Sequence, residues 1–266
     1  MSAGWSYDPI ADVYNEVLAP HIFAVPARDL IDTVNVEGAR LVLDVGTGTG
    51  LAASAAQNRL GIRGVVVGLD CSLAMLRFAR KNGVGRVVSA QVPGIPFAAN
   101  SFDAVLAGFV ISHLSDYREA LLAVVRILRP GGRFGGTAWQ IADDEFSRAW
   151  KEIARAFVDL DRVAAAAQAA IPGEERFSDP DNLRSAFESV GLIRVSVEPR
   201  TYRYSMGIDD FLLIQEYRAT GRLMREAIGS DAWQRFRDRL AATFRARFHP
   251  PIEYTRNALI AVGAKP

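Results

Sequence analysis

Features that define several large classes of proteins are absent from this chain of 266 residues. Its single cysteine, Cys71, excludes a disulfide framework and a cysteine metal site. No apolar run approaches the length of a membrane span, and the N-terminus carries no basic or long apolar leader. The sequence therefore predicts a cytoplasmic protein. A net charge of +1 without a basic stripe argues against a nucleic-acid groove, and the absence of a histidine and acid cluster argues against a metal site.

A glycine-rich turn is the most informative feature that is present. Residues 41–45 predict a buried strand, and Gly46-Thr47-Gly48-Thr49-Gly50 leads from it into an alanine-rich helix. Glycines at such a turn let backbone N–H groups approach a ligand. The dinucleotide-binding pattern G-x-G-x-x-G would need glycine where Leu51 stands. Asp44 would repel a pyrophosphate but suits an ammonium group, so the turn predicts a nucleoside with a cationic tail.

A second apolar run, residues 64–70, also ends on an acid. This acid, Asp70, follows a predicted strand at the point where a ribose would present its two hydroxyls. Both oxygens of an ionised carboxylate accept hydrogen bonds, so one aspartate can hold both hydroxyls.

Taken together, these motifs resemble the class I S-adenosylmethionine (SAM)-dependent methyltransferases. The resemblance is greatest to the small-molecule (type 11) group that includes the ubiquinone/menaquinone C-methyltransferases. It runs from about Tyr7 to Trp139. Besides the two acids and the glycine turn, it is carried by Met75-Leu76, Ile95-Pro96-Phe97, Asn100-Ser101-Phe102-Asp103 and Leu128-Arg129-Pro130-Gly131-Gly132. It implies SAM as cofactor and S-adenosylhomocysteine (SAH) as product. The Asn-Pro-Pro-Tyr-type motif of base methylation is absent, which again argues against nucleic acid as a partner.

The resemblance also implies a set of cofactor-binding residues. The expected set is Tyr14, Asp44, Gly46, Thr47, Gly48, Gly50, Asp70, Cys71, Met75, Gln91, Val92 and Phe109. Within it, Asp44 would meet the methionine ammonium, directly or through water, and Asp70 the ribose. Gln91 stands where the family usually has an aspartate that accepts from the adenine amino group, and its amide oxygen can do the same. Cys71 and Tyr14 could equally be packing residues.

Alternating strand and helix patterns predict an α/β fold with a doubly wound, mostly parallel seven-stranded sheet. The resemblance implies that the last strand runs antiparallel to the rest. We expect one methyltransferase domain over 1–266. Residues 1–35, 140–175 and 205–250 exceed what the sheet needs. Apolar stripes at helical spacing in 143–170 and 207–248 favour a helical cap over an apolar acceptor, although stripes of this kind also arise from ordinary packing.

Methyl transfer from a sulfonium mainly requires alignment of the acceptor and exclusion of water. A general base is needed only for an acceptor that binds protonated. His113, just past the fourth predicted strand, is the candidate base; a capping or packing role is the alternative.

The sequence therefore predicts methyl transfer from SAM to an O or C atom, or an N atom, of a small and largely apolar metabolite of secondary metabolism. A rival hypothesis is a SAM-binding protein of this fold that catalyses a non-methyl reaction such as cyclisation, or that keeps SAM as a structural element. An NAD(P)-dependent oxidoreductase is a third, which the missing third glycine disfavours. The oligomeric state is open, with a homodimer through the cap helices as one option.

Overall fold

Seven strands form one twisted sheet in the computed structural model, which describes residues 5–266. The strands are β1 (Leu41–Val45), β2 (Val65–Asp70), β3 (Arg86–Ser89), β4 (Phe102–Ala107), β5 (Leu128–Trp139), β6 (Ile193–Met206) and β7 (Ile252–Ala264). Their order across the sheet is β3-β2-β1-β4-β5-β7-β6. Neighbouring strands are parallel from β3 to β5, whereas β7 runs antiparallel to both β5 and β6. The predicted fold class and the antiparallel last strand are confirmed.

Helices cover both faces of this sheet and add a layer above its carboxyl edge. They are α1 (Ala11–Val13), α2 (Ala24–Val34), α3 (Leu51–Leu60), α4 (Leu73–Lys81), α5 (Tyr117–Ile127), α6 (Glu145–Ala154), α7 (Leu160–Ala170), α8 (Glu174–Phe177), α9 (Pro180–Glu188), α10 (Ile208–Tyr217) and α11 (Ala219–Arg247). A π-helical segment, Tyr14–Phe23, joins α1 to α2. None of the described helices is long and apolar enough to cross a membrane.

Capping side chains explain where several helices begin. Ser72 accepts a hydrogen bond from the N–H of Met75 at the start of α4, and Asp116 accepts from Glu119 at the start of α5. Each cap satisfies a backbone donor that the first helical turn leaves unpaired. The alternating strand and helix patterns of the sequence predict helices near 50–60, 72–81 and 115–128, and α3, α4 and α5 agree with these ranges to within two residues.

Helix α2 packs closely on the sheet because one position of strand β5 is a glycine. At Gly135 in β5, a Cβ atom would lie 2.1 Å from Cγ2 of Val34 on α2. Val34 is fully buried, so the sheet and α2 meet without any intervening side chain.

The helices predicted for the cap are present, but they are divided differently from the prediction. Residues 143–170 form two helices, because the chain turns after Ala154 and Asp159 then caps a new helix with a hydrogen bond from the N–H of Asp161. Within 207–248 the chain breaks at Arg218 and again at Gly229, which has a φ of 75°. The apolar spacing of this stretch predicts two helices, and the chain forms three helical segments there.

A second apolar core lies in this added layer. The predicted stripe of α11, from Trp233 to Phe248, is buried, and it packs with Phe146 and Trp150 of α6 and with Phe211 of α10. The added helices thus stabilise one another as well as covering the sheet.

Candidate active site

A cavity of about 780 Å³ lies between the carboxyl ends of the central strands and the added helices. This is toward the upper end of the range of small-molecule pockets, roughly 300–1,000 Å³. One wall comes from the turns after β1, β2 and β4, and the other from α6, α7, α10 and the N-terminal segment. The position, outside the carboxyl edge of a parallel sheet, is where open α/β folds bind ligands.

The glycine turn presents backbone to this cavity. Gly46 has a φ of 64° and Gly48 a φ of 54°, both in the left-handed region that favours glycine, and both line the cavity. Gly50 has a φ of 91° but points elsewhere, since a Cβ there would lie 2.6 Å from Cγ2 of Val84. Gly50 therefore lets the start of α3 approach Val84 and does not line the cavity, and its predicted contact with the cofactor stays a prediction.

Asp44 lies behind the turn rather than on the cavity wall. Its side chain is 1% exposed, and Oδ2 accepts hydrogen bonds from the Thr47 hydroxyl at 2.7 Å and from the Ala53 N–H at 3.0 Å. Neither Asp44 nor Thr47 is among the residues that line the cavity, because both are occupied in bracing the turn. The predicted contact of Asp44 with the methionine ammonium, directly or through water, and the predicted contact of Thr47 with the cofactor stay predictions, and in this structure both residues stand behind the cavity wall. Burial raises the pKa of the Asp44 carboxyl to about 7.

Asp70, at the end of β2, faces the cavity and is held in one orientation. Oδ2 accepts from the N–H of Gly48 and Oδ1 from the N–H of Ser72, both at 2.9 Å. Burial raises the pKa of this carboxyl, and the backbone donors oppose that rise. Each oxygen keeps a second lone pair, so the carboxylate can still accept from a diol.

Four more predicted residues line the cavity beside Asp70: Cys71, Met75, Gln91 and Val92. Met75 is 2% exposed and belongs to the helix that follows Asp70, whereas Gln91 and Val92 follow β3. Burial raises the pKa of the Cys71 thiol, which makes this cysteine a packing group rather than a nucleophile. These side chains form a groove that continues from the carboxylate.

The N-terminal segment closes over this groove. Asp8 accepts hydrogen bonds from the Ser72 hydroxyl at 2.5 Å and from the Ala74 N–H at 3.1 Å, which ties the segment to the start of α4. The segment places Tyr14, as predicted, and also Tyr7 on the cavity wall. Tyr14 lies near Gly48, with its Cε1 3.8 Å from the position of a Cβ at that glycine.

His113 lies on the cavity wall in contact with the N-terminal segment. Its Nε2 is 3.3 Å from the Tyr7 hydroxyl, and Nδ1 is buried without a hydrogen-bond partner in the described chain. Burial lowers the pKa of this imidazole to about 4, so the ring is neutral at physiological pH. The sequence points to His113 itself, but Tyr7, 106 positions away, becomes its partner only in the fold.

An aromatic layer forms the floor between the glycine turn and the far end of the cavity. Phe109 has a φ of 58° and is fixed by its N–H, which donates to the Thr137 hydroxyl at 2.8 Å. Its ring stacks on Trp139 with centroids 4.2 Å apart, and Phe23 packs against both. Beyond Trp139 lies Arg256, whose Cζ is 4.1 Å from the indole centroid. Arg256 has no counterpart in the sequence prediction, because nothing in β7 marks which of its polar side chains faces inward.

A metal site is not formed by any described part of the cavity. Within residues 5–266, no three histidine, cysteine or acidic side chains come together in an arrangement that could hold an ion. Near the glycine turn, the groups that line the cavity include the Asp70 carboxylate, backbone groups of the turn and aromatic rings, which fit a nucleoside with a cationic portion.

Comparisons with known proteins agree with this geometry. Residues 43–135 match a family model described as a methyltransferase domain. The ubiquinone/menaquinone biosynthesis C-methyltransferase of Idiomarina loihiensis is 33% identical over 129 residues, which is 46% of this chain and 51% of that protein. The chain thus spans about half the length of the curated relative it matches.

Two solved structures share the fold over most of this chain. Phosphoethanolamine N-methyltransferase 2 of Haemonchus contortus, in complex with phosphomonomethylethanolamine and SAH, superposes with a TM-score of 0.61 at 18% identity, covering 99% of this chain and 59% of that one. The [4+2]-cyclase SpnF superposes with a TM-score of 0.53 at 16% identity, covering 91% of this chain and 80% of that one. Both structures are under 25% identical to this chain, so they show a shared fold, and the match to the methyltransferase domain model is confined to residues 43–135.

Proposed function

We propose that the protein transfers a methyl group from SAM to an O or C atom, or an N atom, of a small molecule with an apolar or aromatic body. The observation that carries this proposal is the continuity of one cavity. The cavity runs from Asp70 and the Gly46–Gly48 turn, past Tyr14 and Phe109, to the aromatic layer under the added helices. A cofactor and an acceptor would share this space end to end.

The nucleoside end of SAM would bind along the groove beside β2. Asp70 would accept from both ribose hydroxyls, since Gly48 and Ser72 hold its carboxylate in place but leave a lone pair on each oxygen. Met75, Gln91 and the backbone of Val92 would contact the adenine. SAM supplies an activated methyl group on a sulfonium, and the aromatic side chains of Tyr14 and Phe109 line the cavity where this cation would lie.

Alignment and water exclusion are the contributions that this geometry favours for catalysis. Holding donor and acceptor in line can lower the barrier by roughly 7–11 kcal/mol. A neutral His113 can accept a proton, but a pKa near 4 makes it a weak base. We therefore propose that His113 helps to orient the acceptor or assists an acceptor that is already acidic. The segments 1–35, 140–175 and 205–250 would act as the substrate cap in this scheme.

Calorimetric titration with SAM and SAH tests the cofactor assignment. We expect micromolar binding of both, and a loss of at least about 100-fold in Asp70→Ala, because a bidentate contact to the ribose is removed. Asp238→Ala, an exposed acid on α11, is the matched control and should bind like the wild type. Unchanged SAM affinity in Asp70→Ala would contradict the proposal.

Detection of SAH as a turnover product tests the reaction itself. SAH formed in proportion to methylated product supports methyl transfer. Product that forms while SAM is retained would instead favour the non-methyl alternative, such as a cyclisation.

A further inference from the structure

Arg256 is a partly buried cation that the proposed methyl transfer does not use. It lies on β7 between the added helices and the sheet, with its guanidinium stacked on Trp139, and it lines the cavity. The stacking orients the plane of the guanidinium, because arginine prefers to lie flat on an aromatic face. The charge is therefore held at a defined place beside the acceptor end of the cavity.

The charge of Arg256 has no ion-pair partner in residues 5–266, although the more distant Glu174 raises its pKa. No carboxylate oxygen lies within 4.0 Å of Arg256, whereas several exposed arginines elsewhere form such pairs. Nε is buried without a hydrogen-bond partner in residues 5–266, and the guanidinium donates to no described side chain. Removing a charge from water without a partner costs several kcal/mol, so an arginine kept in this state is typical of a binding site.

A second arginine adds to the positive field. Arg218, at the break between α10 and α11, also lines the cavity and donates to the Gln215 amide oxygen at 2.8 Å. Burial, and next the charge of Arg218, lower the pKa of Arg256 to about 9, so the guanidinium stays charged at neutral pH. The acids on the cavity wall are Asp70, Asp161, Glu174 and Glu175, and none of them forms an ion pair with either arginine.

We propose that the methyl acceptor is an organic acid whose carboxylate binds to Arg256, with Arg218 supplying a second positive charge. A carboxylate matches the fork of a guanidinium and can accept two hydrogen bonds from it. The aromatic or apolar body of the acid would lie along Trp139 and Phe109, and the methylated atom would point toward Tyr14 and the glycine turn. This inference rests on the proposed function and changes the predicted acceptor from largely apolar to amphipathic.

Matched acid and ester probes test the charge requirement directly. Benzoate, 3-phenylpropionate and 4-hydroxycinnamate, each beside its methyl ester, are titrated into the wild-type protein with and without SAH. We expect at least one acid to bind at least about tenfold more tightly than its ester, because a charge-assisted pair is worth more than its neutral analogue.

Variants then assign the preference to one residue. Arg256→Met should abolish the difference between acid and ester, and Arg256→Lys should keep part of it. Arg203→Met removes an exposed charge from the neighbouring strand β6 and should change nothing. Arg256→Met removes an unpaired charge that is partly buried, so the melting temperature of this variant should not fall. If the variant fails to fold, the wild-type comparison of acid and ester and the Arg256→Lys variant still test the inference.

Two results would overturn the inference. One is that no acid binds better than its ester in the wild type, and the other is that an acid preference persists in Arg256→Met. A failure of SAM and SAH to bind would count against the proposed function alone, since the acid and ester probes are also compared without SAH.

Discussion

The buried acid behind the glycine turn makes a strong prediction about stability and pH. Asp44 is 1% exposed, and its pKa rises from 3.8 to about 7 because burial disfavours the charged form. A group whose folded pKa is raised contributes its full stability below the unfolded pKa of 3.8. That contribution decreases as the pH rises from 3.8 to about 7. Above about pH 7 the free energy of unfolding no longer changes through Asp44.

The size of the effect follows from this shift. Each pH unit between the two pKa values changes the free energy of unfolding by about 1.4 kcal/mol. Between pH 5 and pH 8 only the two units up to pH 7 count, so the wild type should lose about 3 kcal/mol through Asp44. Asp44→Asn cannot ionise, and its amide oxygen can still accept from Thr47 and Ala53. The variant should therefore gain about 3 kcal/mol relative to the wild type over this pH range.

Urea unfolding of the ligand-free protein at pH 5, 6, 7 and 8 measures the difference. Asp103→Asn is the matched control, because hydrogen bonds from Arg40, Leu41 and Arg129 lower the pKa of that carboxyl against a burial effect that raises it. Asp103 is ionised in both folded and unfolded states throughout this range, so its difference from the wild type should not vary with pH. An Asp44→Asn difference that is equally flat would refute the argument that burial of this charge is costly.

Three further predictions concern the residues that shape the cavity. Gly50→Ala should destabilise the protein by roughly 2–4 kcal/mol in urea unfolding. The reason is that residue 50 has a φ of 91° and that a Cβ there would lie 2.6 Å from Cγ2 of Val84. A loss below about 1 kcal/mol would contradict this interpretation of the contact. Thr137→Val leaves the Phe109 N–H unpaired, so we expect the free energy of unfolding to fall by roughly 1–3 kcal/mol. Calorimetry should also show weaker SAH binding, and an unchanged affinity would show that the position of Phe109 does not depend on that hydrogen bond. The NMR ring signals of His113, assigned by their loss in His113→Gln, should stay those of a neutral imidazole from pH 5.5 to 8, since burial lowers its pKa to about 4. A titration midpoint near pH 6.5 would disprove the lowered pKa.

Much of the fold could be predicted because its signals are local. Apolar runs bounded by glycine and acid residues mark the strands, and the run 41–50 marks the turn where a ligand approaches the backbone. The cap was harder, since apolar spacing continues across a helix break. Asp159 caps a new helix, and Gly229 interrupts a helix because it has a φ of 75°. Neither break changes the spacing of the apolar residues around it.

The sequence by itself determined the class of the fold, the family resemblance and the position of Asp70 at a strand end. Only the tertiary structure decided which polar groups reach the cavity. Asp44 and Asp70 both end apolar strands, yet Thr47 and Ala53 enclose the first, while Gly48 and Ser72 turn the second toward the cavity. The neutral state of His113 and the unpaired charge of Arg256 arise in the same way, because burial depends on residues brought together from distant parts of the chain.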